Sequence, residues 1–209
     1  MNKTLQCLLM ALSLLPSLSL GQNPFSDAEA NVRDRFWNQL YAEGGSSFFC
    51  NTPFTSKGFL LTDGYVYPLI HVRNALQCGT SSQCESNKTY RRIARDLHNI
   101  VPVQSRIEMR RRNAKYSALD PSVTANECGI RESTQFIEPP DNIKGDVARI
   151  IGYMVNAYQL PWLGVSSTFR QWNEQDPPDD QERVRHQRIV DIQGNENPFI
   201  LEPSRMATL

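Results

Sequence analysis

Residues 96–102 read Asp-Leu-His-Asn-Ile-Val-Pro and lie at the centre of the chain. The closing proline and the polar residues before it favour a turn or loop over residues 98–102. Residues 86–96, just before this stretch, have a helical pattern, and residues 106–119 form a second predicted helix with a strongly basic side. The central stretch is therefore flanked by two predicted helices that are rich in arginine.

Positive charge is concentrated between Lys88 and Lys115. This segment holds nine basic residues and two acids, a local charge of +7, in a chain whose 22 basic and 22 acidic residues cancel. The planar guanidinium of arginine can bind two phosphate oxygens at once. The zero net charge excludes a uniformly cationic binder, whereas the local cluster indicates a polyanion as partner. A solvated helix face is the alternative explanation.

The sequence before the centre contains one predicted helix and two predicted strands. Apolar residues recur every four positions and predict a helix over residues 22–41. Residues 47–72 show alternating β-branched and aromatic character, broken by a tight-turn signal at Asp63-Gly64. This pattern predicts two short strands.

The sequence after the centre contains the clearest helix, over residues 146–158. We expect its apolar stripe to pack in the core: Val147, Ile150, Ile151, Met154 and Tyr158. Residues 174–182 carry five acids, two prolines and no base, which predicts an exposed loop. Residues 181–190 are predicted to form a short helix.

Residues 1–21 have the pattern of a secretory signal peptide. Lys3 precedes a Leu-rich apolar run over residues 5–20, and small residues follow where a signal peptidase cleaves. An uncleaved anchor helix is the alternative, but the run is short for a membrane span. We therefore predict a secreted or periplasmic protein with a single mature domain over residues 22–209.

Four cysteines remain after the predicted cleavage. An even number in an oxidising compartment indicates two disulfides. The six-residue spacing of Cys78 and Cys84 suits a small loop, which leaves Cys50 for Cys128. The sequence alone allows three pairings, and this one is favoured. A zinc site is the rival, but the sequence has no Cys-x-x-Cys pair and no nearby histidine pair.

Further motifs follow residues 96–102 in a fixed order. They are Arg111, Asn113, Glu138-Pro139-Pro140, Gly145-Asp146-Val147-Ala148-Arg149, Tyr153-Met154, Tyr158-Gln159-Leu160, Trp172-Asn173, Glu182-Arg183, Arg188-Ile189 and Ile192-Gln193-Gly194-Asn195-Glu196-Asn197-Pro198-Phe199. Together they resemble the bacterial endonuclease I family of periplasmic or secreted ββα-metal nucleases, over residues 48–199. The resemblance implies an α+β fold with a ββα centre enclosed by helices and stapled by disulfides.

The resemblance also implies a chemistry. Members of such a family hydrolyse phosphodiester bonds of DNA, with RNA as a further substrate, and leave 5′-phosphate ends. A Glu-His pair supplies a metal ligand and a general base, and an asparagine on an arginine-bearing helix supplies a second ligand. Oxygen ligands suit a hard divalent ion such as Mg²⁺, and a neutral imidazole suits proton removal near neutral pH. Contacts between arginine and phosphate imply little sequence preference.

The family's functional positions transfer only in part. His71 falls on the general-base position, but the metal-binding glutamate before it is replaced by Ile70. The asparagine position, three residues before Arg111, is Glu108. The loop that carries the family's transition-state arginine corresponds to residues 79–83, which contain no cation.

Two hypotheses follow from these departures. In the first, the site is rewired: Glu108 becomes the metal ligand beside the catalytic His71, and the arginine cluster supplies the missing cation. In the second, the site has decayed, and the fold remains as a nucleic-acid-binding or effector module. We expect a monomer with a divalent metal, Mg²⁺ in the first place, as cofactor. The predicted nucleic-acid contacts are Arg110, Arg111, Arg112 and Asn113.

Overall fold

The structure, a computed structural model, describes residues 32–111 and 113–209. The predictions of a signal peptide and of a helix before residue 32, and the predicted contact of Arg112, lie outside these residues. The described part is an α+β protein, as predicted. Its helices are α1 Asp34–Leu40 (π-helical), α2 Leu69–Leu76, α3 Ser81–Cys84, α4 Lys88–Ala94, α5 Ser105–Arg111, α6 Lys144–Tyr158, α7 Ser166–Gln175, α8 Asp180–Gln193 and α9 Pro198–Leu201. Its strands are β1 Gly45–Ser46, β2 Pro53–Phe54, β3 Leu61–Tyr65, β4 Ile100–Gln104, β5 Lys115–Tyr116, β6 Arg131–Glu132 and β7 Phe136–Glu138.

A ββα unit lies at the centre of the fold. β3 and β4 pair antiparallel over five residues, and α5 packs against both strands. The turn predicted over residues 98–102 is therefore wrong in its second half, which forms β4. Pro102 is tolerated in this strand because its carbonyl points away from β3 and accepts a hydrogen bond from Phe48 N at 2.8 Å. Its nitrogen faces the same open edge, so no ladder bond is lost.

The basic helix is shorter than predicted. α5 ends at Arg111, and the chain continues as β5, which pairs parallel with β7. Tyr116 explains the break, because its side chain is fully buried and its hydroxyl donates to the Val66 carbonyl at 2.8 Å. The Tyr116 N–H also donates to the Leu163 carbonyl at 2.8 Å. These contacts require extended backbone where the charge pattern indicated a helix.

The helix predicted over residues 146–158 is confirmed as α6. Its apolar stripe packs against α7 and buries Val147, Ile151 and Met154 completely. The prediction of an exposed loop over residues 174–182 is wrong at both ends, because residues 174–175 belong to α7 and residues 180–182 belong to α8. Glu182 is 4% exposed because it lies in the first turn of α8 and forms an ion pair with Arg149 of α6.

Residues 45–138 contain the ββα unit and are called the ββα half below, and residues 144–209, which contain α6 to α9, are called the helical half. Two disulfides hold the loops of the ββα half. The structure joins Cys50 to Cys128 and Cys78 to Cys84, which is the pairing favoured from the sequence. A large apolar core surrounds α6, and a second, smaller cluster surrounds α1. Among residues 32–111 and 113–209, every helix is too short or too polar to cross a membrane.

Candidate active-site cleft

His71 lies near the start of α2, so the prediction of strands within residues 47–72 is wrong for residues 69–72, which are helical. α2 begins after Pro68. The backbone of Pro68 is extended, so the helix does not include this residue. The buried Asn99 fixes this start from the neighbouring segment. Its side chain accepts a hydrogen bond from Tyr67 N at 2.6 Å and donates to the Tyr67 carbonyl at 3.0 Å. The central stretch of the sequence therefore positions the helix that carries His71.

The imidazole of His71 is held in one tautomer. Its Nε2 lies 3.0 Å from the backbone carbonyl of Asn113. A carbonyl oxygen can only accept a hydrogen bond, so Nε2 carries the proton and Nδ1 keeps its lone pair. Burial lowers the pKa of His71 below 6.5, the bond to Asn113 opposes this effect, and the charge of Lys115 lowers the pKa further. His71 is therefore a neutral base near pH 7.

A cleft of about 450 Å³ opens beside this ring. Arg110, Asn113 and Lys115 line the cleft together with His71, and the side chains of Asn113 and Lys115 are exposed. Arg110 is about half exposed, and its guanidinium is held by Glu132 at 3.0 Å. The cleft thus combines one neutral base with two cations and the carboxylate of Glu132, which pairs with one of them, and this arrangement suits a phosphate diester and a water molecule.

The structure corrects one predicted nucleic-acid contact. Arg111 is 1% exposed, and its side chain is buried within the ββα unit. Its Nη2 forms an ion pair with Glu108 at 2.7 Å and donates to the Tyr65 carbonyl at 3.0 Å. The guanidinium stacks over the Phe49 ring at 4.6 Å. A side chain enclosed in this way has a structural role, because it does not reach a phosphate on the surface.

The carboxylate of Glu108 does not form a preformed metal site. Its Oε2 carries the ion pair with Arg111 and lies 2.7 Å from the point that a Cβ on Gly64 would occupy. A metal ion on this oxygen would displace the guanidinium and leave a buried charge. Residues 32–111 and 113–209 contain no group of three or more His, Cys, Asp or Glu side chains that could hold a metal ion. The assignment of Glu108 as a metal ligand stays a prediction.

The structure brings His71, Arg110 and Asn113 together in one cleft, whereas Glu108 and Arg111 form a separate buried pair. Sequence reasoning missed two cleft residues as site residues. Lys115 was visible as the last cation of the basic segment, but Glu132 carried no signal because its contact with Arg110 depends on the packing of β6.

The fold and the cleft define an α+β protein with a ββα centre and a basic, histidine-bearing site. Comparison with known proteins identifies the family: the family model of Endonuclease I matches residues 26–204. The chain belongs to the endonuclease I family.

Several relatives of the chain are nucleases by name. The chain is 27% identical to an extracellular deoxyribonuclease of Aeromonas hydrophila in an alignment of 221 positions that covers 90% of this chain and 94% of that protein. It is 30% identical to Endonuclease-1 of Buchnera aphidicola in an alignment of 136 positions that covers 62% of this chain and 56% of that protein. It is 32% identical to an extracellular ribonuclease of Bacillus subtilis in an alignment of 127 positions that covers 52% of this chain and 44% of that protein.

Proposed function

We propose that the protein is an exported endonuclease that hydrolyses phosphodiester bonds of DNA, with RNA as a second substrate. The observation that carries this proposal is His71, a neutral base with an unprotonated Nδ1 in a cleft shared with Arg110 and Lys115. The deoxyribonuclease and ribonuclease names of the relatives support the two substrates. The extracellular names of those relatives and the two disulfides support secreted or periplasmic localisation.

The proposed mechanism gives a role to the polar and charged groups around His71. Nδ1 of His71 removes a proton from the attacking water, while the Asn113 carbonyl stabilises the opposite ring nitrogen as a donor. Arg110 and Lys115 bind phosphate oxygens and stabilise the charge that develops on them. Glu132 orients Arg110 until a phosphate takes its place. Contacts to phosphate carry no base information, so little sequence preference follows.

A plasmid-nicking assay with Mg²⁺ and with EDTA tests the proposal. We expect the wild-type protein to nick, and His71→Asn to lower the rate by about 10², the scale of one lost general base. Asparagine offers no basic nitrogen at this position. Arg73→Gln, on the same helix but outside the cleft, is the matched control and should nick like the wild type. Nicking that persists in EDTA would contradict the predicted need for a divalent ion, and full activity of His71→Asn would contradict the base.

A second function, nucleic-acid binding without hydrolysis, is favoured by one observation. The family resemblance implies metal ligands at positions 70 and 108. Ile70 has no ligand atom, and the carboxylate of Glu108 is paired with Arg111. A gel shift without nicking selects this function. In that case the double variant Ile70→Glu with Glu108→Asn restores the implied ligand pair, and a gain of Mg²⁺-dependent nicking identifies the two substitutions as the cause.

A further inference from the structure

A second basic cavity lies outside the His71 cleft, and we call it the α4 basic cavity. Its volume is about 740 Å³, and it shares no lining residue with the cleft. It is framed by α4, α1 and the ends of α6 and α8. Five cations line it: Arg35, Lys88, Arg91, Arg92 and Arg95. With Asp96 and Glu196 as its two acids, the lining has a net charge of +3.

The cations of this cavity have no ion-pair partner among the described residues. Within the part of the chain that the structure describes, no carboxylate lies within 4.0 Å of any of the five as an ion-pair partner. Two of them are held by neutral carbonyls instead: Arg91 donates to the Glu85 carbonyl, and Arg35 donates to the Ile192 carbonyl at 3.4 Å. A carbonyl orients a guanidinium without neutralising it, so the positive charge stays available to a ligand.

The acid at the floor of the cavity is engaged by the fold. Asp96 is 4% exposed, and its Oδ2 accepts the hydroxyls of Tyr153 and Tyr158 at 2.5 and 2.6 Å. Its Oδ1 accepts the side chain of Gln193 at 2.8 Å and the N–H of His98 at 3.0 Å. These four bonds leave the carboxylate no geometry in which it could also pair with an arginine at the rim.

The same network fixes one arginine. The guanidinium of Arg92 lies 5.1 Å from the centre of the Tyr158 ring, and Tyr158 is anchored on Asp96. A stacked guanidinium loses little conformational freedom when it binds an anion, because its plane is already set. The cavity therefore presents three oriented cations and two further ones, and none of the five has an ion-pair partner among the described residues.

We infer that the α4 basic cavity is a second binding site for the phosphate backbone of a polynucleotide, separate from the cleft in which cleavage occurs. Its volume and its five cations exceed what a single phosphate needs and suit several consecutive phosphates. α4 packs against α2, the helix that carries His71, so both sites belong to one side-by-side pair of helices. The identity of the polyanion rests on the proposed function, whereas the charge and the shape of the site do not.

Oligonucleotide binding in EDTA tests this inference without cleavage. The test variant carries Lys88→Gln, Arg92→Gln and Arg95→Gln, and the control carries Lys57→Gln, Arg183→Gln and Arg205→Gln. The control removes the same total charge from three exposed cations that line neither cavity. The probes are a fluorescent single-stranded DNA of 20 nucleotides and one of 4 nucleotides, followed by anisotropy across a salt series, with thermal unfolding as a check on folding.

For the 20-nucleotide probe, we expect the test variant to bind at least tenfold more weakly than the control. Its slope of log affinity against log salt should fall by about 2, since each lost single-strand phosphate contact removes about 0.7. The 4-nucleotide probe has few phosphates and can bind at the His71 cleft alone, so its affinities for the two variants should differ less than those of the 20-nucleotide probe. Equal weakening of test and control variants would overturn the inference, because the effect would then be one of net charge alone. Absence of 20-nucleotide binding by the wild-type protein would also overturn it.

Two further arms separate the possible ligands and the two proposals. Tripolyphosphate probes a free-phosphate ligand, and displacement of the 20-nucleotide probe at micromolar tripolyphosphate would overturn the polynucleotide as occupant. Wild-type plasmid nicking is measured in parallel. A binding difference without any nicking supports this site and contradicts the proposed hydrolysis, whereas nicking without a binding difference supports hydrolysis and contradicts this site.

Discussion

Two arginines are buried to the same degree but are bound very differently. Arg149 of α6 is fully buried, and its Nε and Nη2 donate to the two carboxylate oxygens of Glu182 at 2.9 and 2.6 Å. Its Nη1 donates to Asn173 at 3.2 Å and to the Asp176 carbonyl at 2.7 Å. Every nitrogen of this guanidinium therefore has an acceptor within the helical half of the molecule.

Arg111 of α5 makes fewer bonds. Among the described residues, its Nη2 has well-aligned acceptors on Glu108 and on the Tyr65 carbonyl. Its Nε and Nη1 are buried without an acceptor of good geometry in the same residues, although the guanidinium also interacts with the Tyr116 hydroxyl as a charge and as a hydrogen-bonding neighbour. A buried donor without an acceptor costs about 1–3 kcal/mol.

The hydrogen-bond donors of Arg149 are all satisfied, whereas those of Arg111 are satisfied only in part. The acceptors around Arg149 compensate its buried charge, so we expect this network to make a large contribution to the free energy of unfolding. The pair of Arg111 and Glu108 is only partly satisfied, so we expect it to contribute less and to tolerate rearrangement. Three measurements can break or sharpen this comparison.

The largest effect should come from Glu182→Ala. This change leaves Arg149 buried without its bidentate partner and should lower the free energy of unfolding by about 3–5 kcal/mol. Urea denaturation at pH 7 measures the loss. Glu43→Ala, which breaks the exposed pair with Arg188 at 3.3 Å, is the matched control and should cost no more than about 1 kcal/mol. Similar losses in the two variants would remove the distinction between a saturated network and a surface pair.

The next effect concerns the pH dependence of stability and the buried His98. Burial lowers the pKa of His98 to about 4, Asp96 partly raises it, and Arg185 and His186 lower it further. Between pH 6.5 and 4 the unfolded chain therefore binds a proton that the folded protein does not. The neutral His98 therefore makes a contribution to the free energy of unfolding that is fully present above pH 6.5. This contribution, up to about 3 kcal/mol, is lost as the pH falls towards 4.

Urea denaturation at pH 7, 5.5 and 4.5 compares the wild type with His98→Gln, which cannot titrate at this position. We expect a flatter pH profile for the variant. The comparison is needed because burial also raises the pKa of Asp146 and of Glu182, which makes the folded state bind protons first and opposes the loss. Parallel profiles would show that His98 does not contribute to the pH dependence.

The smallest effect should come from Glu108. Glu108→Ala removes the only ion-pair partner of Arg111 among the described residues, but the Tyr65 carbonyl and the Phe49 ring remain. We expect a loss of about 1–3 kcal/mol in the free energy of unfolding, below that of Glu182→Ala. Glu108→Gln keeps the shape and one acceptor and should lose less. A loss for Glu108→Ala as large as that for Glu182→Ala would show that the two networks are equivalent.

The sequence predicts the helical half better than the ββα half. Periodicity is sufficient for α6, because its stripe packs in one continuous core. It fails for residues 98–102, where β4 depends on pairing with β3, a partner almost 40 positions away. It fails in the same way for the end of the basic helix, since the buried hydroxyl of Tyr116 finds its acceptor on Val66.

The sequence predicts which residue types belong to the candidate site, but it does not predict which way their side chains point. The family resemblance placed His71 at a general-base position, and the structure places it in a basic cleft with Arg110 and Asn113. The run of three arginines from position 110 gave no sign that Arg111 turns inward. The direction depends on space at Gly64, where any larger residue would meet the carboxylate of Glu108 within 2.7 Å. Charge patterns record composition along a helix, whereas burial depends on the surface that the helix meets.

The bond that fixes the tautomer of His71 comes from the backbone of Asn113, not from its side chain. Substitution of Asn113 by almost any residue would leave the acceptor in place, so a side-chain mutational scan would score this position as dispensable for the orientation of the ring. Only changes that move the chain itself, such as an insertion or deletion between α5 and β5, would release the imidazole. Sequence divergence at this position therefore carries no information about whether the base is still oriented.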